Sequence, residues 1–362
     1  MQPPRVTVLM TVYNGRAFLP EAIESVLRQT LREFELLIID DASTDGSVAR
    51  IRSYHDPRIR LVVNEANVGQ TPSLNRGLAL ARAPYVARLD QDDVCLPDRL
   101  ERQASLLQQH PETAVVGTRM MDMDEHGRRL GAAGRQMKDR GTFLGLLCLG
   151  LCPLGHPSVM FRREMVLSLG GYDASCAPAE DVDLWTKLAM HGHTAQVIDE
   201  PLVLRRVHGG QQSVTKAALQ QQQVHRAQDR LIASCAPPAH VRGVTLLLRR
   251  DGALWGEYGT PERLSQIVDA LFATFTNAQE RYQLTPEERV GFMRVMRRWF
   301  GPGLVPVRWM LRWPPALFLP LACLCLPAQV PPVRAGLSRL MDRFRRLKRT
   351  AVRRAAPSPR ES

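Results

Sequence analysis

Apolar positions recur in two different periods along the first 215 residues. Val6 to Val12 is a nearly continuous apolar run, the pattern of a buried strand, and Leu19, Ala22, Ile23, Val26 and Leu27 then repeat at helical spacing. Residues 34–39 form a second apolar run, stopped by Asp40, Asp41 and the turn-forming Ser43-Thr44-Asp45-Gly46. The same reading predicts strands at 59–63 and 85–89 with a helix over 71–81 between them. Beyond Pro97 it predicts a helix to about residue 109 and a strand over 114–123 entering a turn at Glu125-His126-Gly127. From Gly155 the pattern is mixed: a strand over 156–161, a helix over 181–191 and one or two strands over 194–207. Such alternation implies an α/β domain over residues 1–215, with a mostly parallel sheet flanked by helices. Residues 216–300 are helical in character, with Thr260-Pro261-Glu262 and Thr285-Pro286-Glu287 suited to N-cap, N1 and N2 positions. Residues 301–362 are a Pro/Trp/Leu-rich stretch followed by a basic tail, and no repeat is apparent.

Composition adds constraints. A 362-residue chain with 44% hydrophobic and 23% charged residues is globular rather than disordered. The net charge of +12 is uneven: over 334–354 nine Arg and Lys residues face Asp342 alone, a local excess of +8. The basic balance therefore describes the C-terminus more than the body. Leu337, Leu340, Met341, Phe344, Leu347 and Ala351 recur at helical spacing beside those cations, which suits an anionic membrane surface; docking on the protein itself is the alternative. A single Phe344 gives too little aromatic interleaving for a nucleic-acid partner. Trp299, Trp309 and Trp313 lead into an apolar stretch over 314–332 that Pro320 and Pro327 interrupt, short of the roughly 20 residues a spanning helix needs. The seven cysteines form no dense framework and no signal peptide precedes the first strand, so the expected location is cytoplasmic, peripheral on the inner face of the plasma membrane. Cys148, Cys152 and His156 lack a fourth zinc ligand nearby and are expected to be buried thiols and a histidine.

In an open α/β sheet the ligand crevice lies beyond the carboxyl ends of the strands. Thr11, Tyr13 and Asn14 follow the first predicted strand, Asp40 and Asp41 the second, and Asp90, Asp92 and Asp93 the strand over 85–89. Neither G-x-G-x-x-G after the first strand nor G-x-x-x-x-G-K-[ST] anywhere supplies a phosphate cradle. A carboxylate cluster can instead hold a hard divalent cation that bridges to diphosphate oxygens, and Asp90-Gln91-Asp92-Asp93 fits that task. A solvated acidic turn is the bland alternative.

Three segments, Val6-Thr-Val-Leu-Met-Thr-Val-Tyr-Asn14, Phe34-Glu-Leu-Leu-Ile-Ile-Asp-Asp-Ala-Ser-Thr-Asp-Gly46 and Leu89-Asp-Gln-Asp-Asp93, resemble the successive signatures of glycosyltransferase family 2. Further on, His156-Pro-Ser-Val-Met-Phe-Arg162, Gly170-Gly-Tyr172, Glu180-Asp-Val-Asp-Leu-Trp185 and Arg205-Arg-Val-His208 resemble its acceptor-side motifs. The resemblance covers roughly residues 5–215 and implies a GT-A-like domain, an inverting reaction, a nucleotide-sugar donor and a divalent metal, Mn²⁺ or Mg²⁺. It places Thr11 and Tyr13 at the base pocket, Asp41 on the base, Asp90 near ribose and metal, Asp92 on the metal and Asp181 as catalytic base.

Physical chemistry gives each role a reason. A carboxylate at Asp41 accepts the N3–H of uracil, whereas the unprotonated N3 of cytosine would set two acceptors face to face, which favours a uridine nucleotide. Tyr13 either stacks on the base or closes the end of the strand's core. Asp181 would take the acceptor hydroxyl proton; Glu180 and Asp181 also suit a helix N-terminus electrostatically. His208 is open between a metal or diphosphate contact and a backbone-satisfied histidine, and Trp185 between a floor for the acceptor and core packing. The acceptor is expected to be a glycan or a lipid-linked hydroxyl in cell-surface polysaccharide or glycolipid synthesis. A nucleotidyltransferase and a non-catalytic sugar-nucleotide-binding protein at the membrane are the competing readings; Asn14-Gly15-Arg16 is a poor version of the Gly-rich loop the former needs.

Overall fold

The structure, a computed structural model, describes residues 3–135, 137 and 139–300. The expectations for residues 301–362, including the basic tail, lie outside the described residues. The chain divides into two compact units: Met1–Cys235 with Asn277–Val295, and Ala236–Thr276 with the chain from Met296.

The first unit is built on β1 (Val6–Val12), α1 (Leu19–Leu27), β2 (Phe34–Asp40), α2 (Ser47–Arg52), β3 (Ile59–Val63), α3 (Gln70–Leu80) and β4 (Tyr85–Arg88). There follow β5 (Val94–Cys95), α4 (Arg99–Gln109), β6 (Thr113–Met123), β7 (Arg129–Ala133), α5 (Arg140–Cys148), β8 (Met160–Arg162), α6 (Arg163–Ser168), α7 (Glu180–Met190) and β9 (Thr194–Arg206). The sheet runs β3-β2-β1-β4-β8-β6-β9-β5, with β7 on β6.

β3, β2, β1 and β4 are mutually parallel, so their carboxyl ends share one edge. The chain steps from β1 to β2 and β3 on one side, then returns to place β4 on the other. That reversal opens a crevice at the ends of β1 and β4, where open α/β sheets bind ligands. Past β4 the sheet is mixed: β8 is antiparallel to β4 and β6, and β9 runs parallel to β6. The strand expected over 156–161 is shortened to Met160–Arg162, because Pro157 turns His156–Ser158 into a 3₁₀ turn.

The β1 run is apolar because the strand is central, covered on both sides. Val6, Val8, Met10 and Val12 pack with Leu19, Ala22, Ile23 and Val26 of α1. Each fully buried aliphatic side chain contributes roughly 1.5–3 kcal/mol. On α3, Gly77 sits against Leu9 so closely that a Cβ would lie 2.2 Å from its Cδ1. Close apposition of α3 to β1 therefore depends on the missing side chain. Proline starts Pro261–Arg281 and Pro286–Phe300 as the sequence predicts. At the latter, Glu288 N–H donates to Thr285 Oγ1 (3.3 Å) and Thr285 N–H to Glu288 Oε2 (2.9 Å), a reciprocal cap.

Candidate active site

Two loops at the carboxyl edge are stitched together by side chains. Asn14, in the left-handed region at φ +49°, has its N–H on Ser43 Oγ (3.0 Å) and its Oδ1 on Thr44 N–H (2.9 Å). Gly15 N–H donates to Ser47 Oγ, and the Ser47 hydroxyl and N–H and the Arg16 N–H donate to Asp45, which holds its carboxyl below the usual range against the upward pull of burial. Thr11 lies partly exposed at the end of β1. Tyr13 is 48% exposed, which rules out its closing the strand core and leaves its ring free to stack.

Asp41, almost fully buried, accepts from Asn64 Nδ2 (2.6 Å), Val68 N–H (3.0 Å) and Gly69 N–H (2.8 Å). A carboxylate offers about four acceptor positions, so one remains for a base N–H. The residue also shapes the 64–69 loop, a role the sequence does not reveal.

The acid turn follows β4. Asp90, Asp92 and Asp93 each bring one carboxylate oxygen within 4.8 Å of the others. Burial and the charges of Asp90 and Asp92 push Asp93 well above the usual carboxylate range; burial and Asp90 also raise Asp92, with His208 opposing. His208 places Nε2 2.8 Å from Asp92 Oδ2, which joins it to this cluster. Three hard oxygens and an imidazole suit Mn²⁺ or Mg²⁺, and a cation there would relieve their crowding. Between the acids, Gln91 clamps Tyr13: its Oε1 accepts Tyr13 N–H (2.9 Å) and its Nε2 donates to Tyr13 C=O (3.2 Å). A Cβ on Gly15 would lie 2.3 Å from that Oε1, so the clamp requires glycine.

Tertiary pairing brings His208 to the turn. β5 pairs antiparallel with the end of β9, Val94 opposite Leu204. Arg206 then donates its N–H to Asp93 Oδ1 (2.8 Å) and its Nε to Asp92 C=O (3.0 Å). Its remaining nitrogens reach Asp124 and Glu125 carbonyls and Glu21, and its guanidinium lies 4.6 Å over Phe18. Sequence reading quotes Arg206 within a motif but gives it no role. Its burial, which only the fold creates, marks it as the support of the acid turn.

Across the crevice, α7 starts with Glu180 and Asp181. Asp181 accepts Val182 N–H at 2.8 Å and the Cys152 thiol at 3.8 Å. Burial, then the charge of Glu180, push its carboxyl up to about 7. Glu180 is buried, raised by burial, and its Oε2 has no partner. Trp185 is fully buried, edge-on to His156 at 6.3 Å, so of the two places open to it in sequence it takes the core, and its ring offers no exposed face as an acceptor-side residue. His156 holds the Tyr172 hydroxyl (2.9 Å), and burial depresses its pKa well below the usual value. Asp183 is taken by Lys187 and Arg230, which ties α7 to the helix Ala217–Ala233.

A parallel sheet reversing between β1 and β4, with an acidic turn at the end of β4, is the arrangement of a GT-A-like fold. The chain belongs to glycosyl transferase family 2, whose model matches residues 7–169. It is 36% identical over 204 residues to EpsE of Bacillus subtilis (strain 168), a protein named provisionally as a glycosyltransferase, covering 55% of this chain and 72% of that one. It is 33% identical over 215 residues to the amylovoran biosynthesis glycosyltransferase AmsE of Erwinia amylovora, covering 58% and 78%. The fold is similar to that of S. aureus TarS 1-349 in complex with UDP-GlcNAc, with a TM-score of 0.51, 17% identity, and 81% and 89% of the two chains covered. Family membership sets aside the nucleotidyltransferase and non-catalytic readings.

Proposed function

We propose that the protein transfers a sugar from a uridine-diphosphate sugar to an acceptor hydroxyl with inversion, using a divalent metal, in cell-surface polysaccharide assembly. One observation carries this reading: the carboxylates of Asp90, Asp92 and Asp93 within 4.8 Å of one another. His208 Nε2 adjoins Asp92, and Asp181 is a carboxyl poised near neutrality. Asp92 and His208, with Asp90 and Asp93 beside them, would hold Mn²⁺ or Mg²⁺, which neutralises negative charge on a departing diphosphate.

Asp41, with one acceptor position left, takes the N3–H of uracil, and Tyr13, clamped by Gln91, covers the base. Thr11 borders the base and Asp90 the ribose. Asp181 accepts the proton of the acceptor hydroxyl as its oxygen attacks the anomeric carbon. The bond from that carbon to the diphosphate oxygen breaks on the opposite face, UDP leaves, and the configuration inverts. Near neutral pH a base of pKa about 7 is substantially ionised yet still basic enough to take a proton. Glu180 stands beside Asp181 and raises it.

Support for polysaccharide assembly is the similarity to AmsE, whose name ties it to amylovoran biosynthesis. The test is a panel of radiolabelled nucleotide-sugars incubated with the full chain and Mn²⁺. A UDP-sugar should be hydrolysed or transferred, and turnover of a CDP- or GDP-sugar alone would overturn the uridine assignment.

A further inference from the structure

Arg88, the last residue of β4, is almost completely buried, with 1% of its side chain exposed. Its Nη2 donates to Asp90, while Nε and Nη1 are enclosed without a partner. Its charge is felt by Asp90 and Asp93 on the donor side and by Glu180 at the start of α7. The neighbouring arginines are already engaged: Arg206 with the turn's main chain and Glu21, Arg205 with both oxygens of Asp122. Arg99 supports the end of β4 from beneath by donating to the Arg88 and Val159 carbonyls.

We propose that Arg88 is a positioning residue whose guanidinium is the resident counter-ion of the Asp90–Asp93 turn, making divalent-cation binding conditional on the nucleotide's diphosphate. The inference rests on the metal reading of that turn. Three carboxylates so close repel one another, and a cation on Asp90 offsets the repulsion when no metal is present. The same cation opposes a divalent ion twice: it occupies Asp90, and its enclosed charge repels a second positive charge in a medium that screens weakly. A diphosphate brings the negative charge that tips the balance. Released from Asp90, the guanidinium need not be stranded. Glu180 Oε2 is buried without a partner, and Glu180 already feels the Arg88 charge. Donor loading is thereby linked to the start of the helix that carries Asp181.

The experiment is calorimetry with the full chain, titrating MnCl₂ alone and MnCl₂ in the presence of UDP. Wild type, Arg88→Met, Arg88→Gln and Arg88→Lys are compared, with folding checked by circular dichroism and thermal melting. The wild type and Arg88→Lys should bind Mn²⁺ at least about tenfold more tightly with UDP than without, as expected when a buried like charge must be offset. The neutral variants should bind Mn²⁺ alone at least about tenfold more tightly than the wild type. A general loosening of the site lowers metal affinity, so a gain separates counter-ion loss from structural damage. Neutral variants that bind Mn²⁺ alone no more tightly than the wild type overturn the inference, as does failure of both to fold, which would make Arg88 purely structural. Absence of Mn²⁺ binding to the wild type even with UDP would instead overturn the metal reading itself.

Discussion

Asp181, part-buried at the start of α7, is asked to be desolvated and ionised at once, and the two demands oppose each other. Its carboxyl, raised to about 7, is protonated in the folded protein over a pH range where the unfolded chain has already lost the proton. The folded pKa lies above the unfolded one, so this group favours folding below about pH 4 and loses that contribution as pH rises through about 7. At pH 8 the ionised form costs on the order of 4 kcal/mol relative to a neutral side chain. Asp181→Asn should therefore melt higher than the wild type at pH 8, with the gap closing toward pH 4. Turnover should fall by roughly 10²- to 10⁴-fold with UDP binding kept. In the wild type kcat should rise with pH through about 7. Near-wild-type kcat in the variant would move the base to Glu180, since Asp183 is buried and held by Lys187 and Arg230. Asp41 carries a second residue-scale expectation. UDP should compete more strongly than CDP by about 5- to 150-fold, the equivalent of 1–3 kcal/mol for an unpaired contact. Asp41→Ala should narrow that gap and weaken both nucleotides, because the 64–69 loop loses its anchor. Equal competition by UDP and CDP in the wild type would refute the pairing.

Elements act here through where they end. β4 ends on Arg88, the turn exposes its acids, and the two-residue β5 pins that turn against β9. One side chain, Arg206, ties the end of β9 to the turn, to the carbonyls of Asp124 and Glu125 after β6, and to Glu21 of α1. Arg206→Met leaves those carbonyls and Glu21 without their donor. Glu21 is half exposed and can turn to water, so the variant should destabilise the fold by about 1–3 kcal/mol, the usual cost of leaving buried acceptors unsatisfied. Metal-dependent UDP binding should weaken with it, since His208 lies two residues beyond. Asp92→Ala should abolish the metal dependence while leaving the melting temperature within a few degrees of the wild type, because Asp92 supports no strand. Calorimetry in which Mn²⁺ still tightens UDP binding to Asp92→Ala would remove Asp92 from the metal.

For the whole molecule, no described helix is long and apolar enough to cross a membrane. The tail expectation stands as a proposal drawn from sequence: residues 299–354 hold the enzyme on an anionic membrane surface where lipid-linked acceptors are presented. Several cations contribute on the order of 1 kcal/mol each near such a surface. The full chain should sediment with anionic liposomes at low salt and be released at high salt, while neutral liposomes leave it in solution. Failure to sediment with anionic liposomes at low salt would remove the membrane from the reading; sedimentation in every condition would mean embedding.

The four strands of the parallel half and the helices α1 and α3 were legible because the strands are sequential and regular, each ended by its own turn chemistry, whereas the six-residue α2 is too short to show a period. That Tyr13, Asp41 and the acid turn gather at one edge was legible too, since a parallel sheet puts every strand's carboxyl end on the same side. What distance along the chain conceals was decided by tertiary structure. β5 is two residues long and has no periodicity to read, yet its pairing with β9 sets His208 on Asp92. Trp185 was open between floor and core until its surroundings closed over it. Arg88 and Arg206 look like ordinary charged residues in sequence. Their meaning comes from burial, because a charge removed from water needs a partner, and the partners stand on elements far apart in the chain.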